Sequence, residues 1–219
     1  MFKTQKAYFS IFLLWFPIVS ISIYIGVLLS QPLGELLYAN NGMSYSASND
    51  GVLESTLSLL LLLGLFMGAG QWFVLNTKIK KAYFWIPATI IGLIFGSFIS
   101  FIIIILVGDV LLNLGRHHYE VDVWIQGVTL LMTTGMIAGV FQWISLKRKL
   151  ATSLKWSLVT GLSFTFSIIF SFIVDPYPTG NKFVSPTFSI FLGLITGIFV
   201  EPLIFRSEIE NTIQKDHIT

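Results

Sequence analysis

Cysteine is absent from this chain of 219 residues. Its absence excludes disulfides, thiolate nucleophiles and cysteine metal sites together. Charge is scarce: Asp, Glu, Lys and Arg make up 11% of the residues, where a soluble domain carries roughly 25%. The histidines, His117, His118 and His217, all fall outside the apolar stretches. That argues strongly against an intramembrane metalloprotease and weakly against a lipid-modifying enzyme. No P-loop, no Gly-x-Gly-x-x-Gly after a strand and no Ser-His-Asp arrangement is present. The reading leans away from an enzyme and implies no cofactor. A net charge of +2 is too small to point to a nucleic-acid partner.

Apolar runs take the place of charge. Hydrophobic residues reach 54%, and the mean hydropathy is +0.81. Six stretches stand out, at about 8–30, 56–76, 82–107, 125–145, 156–174 and 187–205. Each approaches the ~20 residues that a helix needs to cross a ~30 Å hydrocarbon core. The expected fold class is an all-α integral membrane protein of six transmembrane helices, with residues 1–219 as a single transmembrane domain. The longest connections, 31–55 and 108–124, leave no room for a separate soluble domain. The first stretch exceeds the apolar core of a cleavable signal and lacks a small-residue cleavage site, so it is expected to remain as a span.

Orientation follows from the basic residues. With the N-terminus in the cytoplasm, Lys3, Lys6, Lys78, Lys80, Lys81, Lys147, Arg148, Lys149, Lys155, Arg206 and Lys215 lie inside, and only Arg116 and Lys182 outside. This bias places both termini in the cytoplasm. The Lys78–Lys81 and Lys147–Lys149 clusters read mainly as topology signals; attraction of anionic headgroups is the lesser reading. Compactness and the lack of targeting signals point to a bacterial cytoplasmic membrane.

The apolar stretches repeat. Gly64-x3-Gly68-x2-Gln71-Trp72-x2-Leu75 returns 71 residues later as Gly135-x3-Gly139-x2-Gln142-Trp143-x2-Leu146. Gly193, Gly197, Val200, Glu201 and Ile204 fill the same slots in a worn third copy. Between them, Trp15, Ser22 and Gly26 match Trp85, Gly92 and Gly96, and again Trp156, Ser163 and Ser167. Three pseudo-repeated hairpins result, over about 8–76, 82–145 and 156–205. On a helix, offsets of 4, 7 and 11 residues fall within about 40° of the starting direction. Gly64, Gly68, Gly92, Gly96, Gly135, Gly139, Gly193 and Gly197 are thus expected to form helix-packing stripes, because small residues let backbones approach where lipid gives no hydrophobic drive.

Several polar residues invite a functional reading. A pseudo-threefold axis would bring Gln71 and Gln142 together at one depth, and buried polar membrane residues often mark solute or ion pathways. Both adjoin packing glycines, however, so interhelical hydrogen bonding is the favoured reading. Glu201 is ionisable within a span, although it stands near the helix end where pairing with Arg206 would serve as well. Trp72, Trp143, Trp85 and Trp156 are expected at the cytoplasmic aromatic belt; an aromatic cage including Trp72 and Trp143 is the minority alternative. On the outer side, His117, His118, Glu120 and Asp122 combine metal-ligating types. Their spacing matches no metal motif, and a solvated loop is the simpler reading.

In architecture the chain resembles two known groups. Mitochondrial carriers share the plan of three hairpins with both termini on one side. Here Pro17 and Pro87 recur without the charges of the carrier signature. Substrate-binding subunits of energy-coupling-factor vitamin transporters are similar in size and span number, but their alanine-rich docking signature is missing from the first helix. Neither resemblance transfers a residue. The leading expectation is a transporter-like or solute- or lipid-binding protein, with a site between hairpins lined by Gln71, Gln142 and Glu201. The alternative is a non-catalytic subunit, assembly factor or immunity-type partner of another membrane protein. A lipid-acting enzyme using His117, His118, Glu120 and Asp122 ranks last. The expected surroundings are the bilayer, with a membrane-protein partner or a second copy of the chain as further candidates.

Overall fold

The structure is a computed structural model, and it describes residues 2–40, 50–77, 79, 82–113, 119–145, 153–174 and 186–200. The described residues are all helical apart from short turns. In chain order the helices are α1 (Phe2–Asn40), α2 (Asp50–Leu75), α3 (Trp85–Asn113), α4 (Tyr119–Ser145), α5 (Ser153–Val174) and α6 (Pro186–Val200). A short 3-10 turn, Ala82–Phe84, leads into α3. Four stretches are long and apolar enough to cross a membrane: Ile11–Ser30, Ser58–Leu75, Ala82–Leu106 and Gly127–Ser145. The chain has the character of an integral membrane protein.

Composition alone would not make α3 a helix in water, because it is rich in β-branched isoleucine. In hydrocarbon the backbone has no other way to satisfy its polar groups, so apolarity itself enforces the helix. The prolines fit this rule. Pro87 sits in the first turn of α3 and Pro186 opens α6, where the missing N–H has no intrahelical partner to lose. Pro17 interrupts α1 but points outward, away from the packed interior.

Helices run further than the apolar runs predict. The connection expected over 31–55 shrinks, since α1 continues to Asn40 and α2 begins at Asp50. The one expected over 108–124 shrinks too, with α3 reaching Asn113 and α4 starting at Tyr119. Hydropathy marks where lipid ends, whereas a helix stops only when its hydrogen-bond ladder is broken. The expected end of the sixth span, 201–205, lies outside the described residues.

Neighbouring helices are antiparallel and very close. A Cβ added to Gly92 would lie 2.6 Å from Ala138 Cα, and one on Gly96 2.8 Å from Thr134 Cα, so α4 descends as α3 rises. The same reversal relates α2 to α3, through Gly64 against Ile90 and Gly68 against Ile86. It relates α4 to α5, through Gly135 against Gly161 and Gly139 against Ser157. Gly26 and Gly70 fit α1 to α2, against Leu62 and Ser22. Phe164 meets Phe188 and Phe170 stacks on Phe191 at 4.4 Å, joining α5 to α6. Finally α6 returns to α1, with Gly193 against Phe16 and Ser20, and Gly197 against Phe12 and Trp15.

The six helices therefore close into a ring. Side chains such as Phe95, Phe98 and Phe101 stand exposed around its outside. In water such a belt would drive aggregation, but against lipid it is ordinary surface. Inside, the core runs from Ile11, Trp15 and Val19 through Met67, Leu75 and Trp85 to Trp156 and Phe188.

Candidate functional site

The interior of the ring carries an unusual share of polar groups. Among the described residues the buried polar side chains are Ser, Thr and Gln, and none is ionisable. Most are hydroxyls that bond back to their own helix, as Thr160 does to the Trp156 carbonyl at 2.9 Å and Ser167 to Ser163 at 2.6 Å. Such bonds neutralise a hydroxyl in lipid without committing it to a neighbour. Two longer side chains join more than two helices in one network. They are the glutamines.

Gln71, near the end of α2, is 1% exposed, and Gln142, near the end of α4, is 0% exposed. The ends of their helices explain the placement. Past Gln71, α2 is closed by Asn76 N–H to the Trp72 carbonyl at 2.8 Å and Ile79 N–H to the Leu75 carbonyl at 2.7 Å. Buried Ile79 and Ala82 then pin the chain as it turns into α3. This short link delivers Trp85 beside Gln71.

An indole N–H can only donate, which fixes how each amide must point. Trp85 Nε1 donates to Gln71 Oε1 at 2.7 Å, and Trp156 Nε1 donates to Gln142 Oε1 at 2.8 Å. With both oxygens turned to tryptophan, the Gln142 Nε2 group is free to reach across the bundle. It donates to Gln71 Oε1 at 3.0 Å and to Thr89 Oγ1 at 2.9 Å. Thr89 Oγ1 in turn donates a hydrogen bond to the Trp85 carbonyl at 2.8 Å. One chain of hydrogen bonds thus links α2, α3, α4 and α5.

The tryptophans also meet as rings. Trp85 and Trp156 lie 5.7 Å apart between centroids, and Trp15 sits edge-on to Trp156 at 6.3 Å. All three are at most 1% exposed. Trp85 and Trp156, expected at the aromatic belt, are instead at the centre of the bundle. Position along a span fixes a residue's depth, but only rotation about the helix axis decides whether it faces lipid or core. Trp15 Nε1 donates to Thr196 Oγ1 at 3.1 Å, and Thr196 donates to the Leu192 carbonyl at 2.7 Å.

The other nominated residues fall in three groups. Trp72 and Trp143 are partly buried and pack against the apolar core. Glu201, His117 and His118 lie outside the described residues, and of Glu120 and Asp122 only the helical backbone of α4 is described. Among the described residues no cluster of His, Asp and Glu is placed to hold a metal ion. Thr89 and Thr196 escaped the sequence reading. A usable signal existed for the first, since Trp-x3-Thr stands at both 85–89 and 156–160.

Chemically, the arrangement is a neutral lock. Gln71 Oε1 accepts two bonds and Gln142 Nε2 makes two, so both groups are saturated by protein. No proton is bound or released by any of these partners near neutral pH. No protein-family model matches the chain, and no curated protein or solved structure matches it significantly.

Proposed function

We propose that this is a six-span, transporter-like membrane protein that binds an uncharged or lipid solute between three pseudo-repeated hairpins. The Gln71–Gln142 pair closes the ring at its cytoplasmic end. One observation carries this reading: an uncharged polar lock, made of hydrogen-bonded amides and indoles, lies inside a ring of lipid-facing helices. A lock of that kind can exchange partners without moving charge through hydrocarbon, where charge is expensive. It suits a neutral cargo. An entering solute would replace the Gln71–Gln142 bond, with Trp72, Trp143 and Glu201 as further contacts. The packing stripes at Gly64, Gly68, Gly92, Gly96, Gly135, Gly139, Gly193 and Gly197 would hold the hairpins together around it. The basic loops orient both termini to the cytoplasm.

A second reading has its own support. Gln71 Oε1 and both groups of the Gln142 amide bond to one another, to tryptophan and to Thr89, as expected if the network serves only to hold a scaffold together. The protein would then be a non-catalytic subunit or partner of another membrane protein. Native mass spectrometry of the full chain, released gently from its own membranes, separates the two. A monomer or homo-oligomer with a defined lipid or small-molecule adduct supports the binding reading. A stoichiometric second protein with no adduct replaces it with the scaffold reading.

A further inference from the structure

The three places where one hairpin meets the next are not alike. Where α2 meets α3, Trp85 bonds to Gln71, and where α4 meets α5, Trp156 bonds to Gln142. Where α6 meets α1, Val200 stands in the glutamine's place and Val19 in that of Thr89 and Thr160, both buried and apolar. Trp15 turns to Thr196, one helical turn away from Val200. Short segments of chain join the first two pairs directly, but none joins α6 to α1. Among the described residues this third seam has the weakest lock, one indole–hydroxyl bond, and no segment of chain joins its two helices directly.

The same seam holds two stranded hydroxyls. Ser20 Oγ and Ser189 Oγ are buried without a hydrogen-bond partner among the described residues. Ser20 is 7% exposed and Ser189 1%. Ser20 lies against Gly193 of α6, and Ser189 stands one turn before Gly193 on the same helix. A buried hydroxyl without a partner costs free energy, and the structure holding it favours whatever supplies one. Elsewhere in the bundle, Ser163, Ser167 and Thr165 satisfy themselves against their own helix. Outside the seam, Leu13, Leu14 and Ile21 of α1 and Ile190, Ile198 and Phe199 of α6 are exposed, so its flanks face lipid.

We infer that the α1–α6 seam is a lateral binding site for an uncharged hydrogen-bonding group, such as the hydroxyl or ester of a neutral amphiphile, met by Ser20 and Ser189. The inference rests on the binding reading above and gives it an entrance. A charged group would find no counter-charge among the described residues of the seam. An apolar one would leave both hydroxyls stranded.

The absence of cysteine makes the test clean. Ser20→Cys and Ser189→Cys are compared in native membranes with Ser100→Cys and Ser157→Cys, whose hydroxyls bond across α3–α4 and α4–α5. N-ethylmaleimide should label the first pair at least about tenfold faster, because labelling follows local opening. Dioleoylglycerol in the membrane should slow that labelling if the ligand is a lipid, and added glycerol should do so if it is a free solute. Equal rates at all four positions, or fast labelling that neither compound slows, overturns the site. Ser20→Ala with Ser189→Ala should lose the adduct seen by native mass spectrometry. An adduct that survives this change overturns the seam but leaves the binding reading standing. No adduct on the unaltered protein removes the reading itself.

Discussion

The α4–α5 seam and the α6–α1 seam are built to one plan and finished differently. In both, two glycines one turn apart on one helix, Gly135 and Gly139 on α4 or Gly193 and Gly197 on α6, press against the neighbouring helix. At α4–α5, Gly139 faces backbone: an added Cβ would lie 2.6 Å from Ser157 Cα. At α6–α1, Gly197 faces only the rings of Trp15 and Phe12, the nearest at 3.1 Å. The first seam is closed by an amide, the second by one hydroxyl. An indole–amide bond forms only where helices are already near, but nearness does not suffice: a Cβ on Gly193 would lie 3.0 Å from the Phe16 carbonyl oxygen, as close to backbone as one on Gly68 is to Ile86. Close approach is common to the seams, and the amide is what sets the first apart.

The sharpest way to break the comparison is at the glycines. Gly139→Ala should lower stability by about 3 kcal/mol, because backbone cannot yield as side chains do. Gly197→Ala should stay within about 1 kcal/mol of neutral, as ring movement offsets the helical gain of alanine. Denaturation midpoints in mixed micelles measure both, and similar losses would erase the contrast.

Next in size are the amides. Gln142→Leu removes bonds to Gln71, Thr89 and Trp156, and strands the Trp156 N–H. Its expected cost is about 2–3 kcal/mol. Gln71→Leu removes the bonds from Trp85 and Gln142, and should cost less, about 1–2 kcal/mol. A reversed order would mean that Gln142 is not the hub.

Thr196→Val should have a smaller effect, about 0.6 kcal/mol, the average for a hydrogen bond between membrane helices. The last prediction sharpens the comparison by repairing it. Val200→Gln with Val19→Thr supplies α6–α1 with the residues found at the other seams. It should slow maleimide labelling of Ser20→Cys several-fold with little change in global stability. Unchanged labelling would show that the amide is not what distinguishes the seams.

How much of this was legible beforehand differs by residue. Periodicity of 3.6 residues makes a face visible in sequence and singles out Gly64, Gly68, Gly92, Gly96, Gly135 and Gly139; a Cβ on any of them would lie within 3.0 Å of the next helix. Gln71 and Gln142 were expected to approach each other, and they lie in hydrogen-bond contact. The indoles of Trp85 and Trp156 that bond to them are not legible in the spacing. Trp85 and Trp156 stand near span ends, where a belt residue and a core residue look identical until helix rotation is known. Ser20 and Ser189 gave no signal at all. Many buried serines share their composition and depth, and only tertiary contact shows which of them lack an acceptor. The reach of α1 to Asn40 was hidden because hydropathy reports the solvent around a helix rather than its end.

The closed ring carries one more consequence. Because α6 runs antiparallel to α1 and packs on it, a peptide linking the far end of α6 to the beginning of α1 would join helix ends on the same side of the ring as the end of α2 with the start of α3, and the end of α4 with the start of α5. The order of the chain around the ring would then have no privileged starting point. Moving the break to 146–152 should give a circularly permuted protein with the same helix neighbours and the same buried tryptophans. The tether would now guard the weak seam, and an amide-locked seam would be left without one.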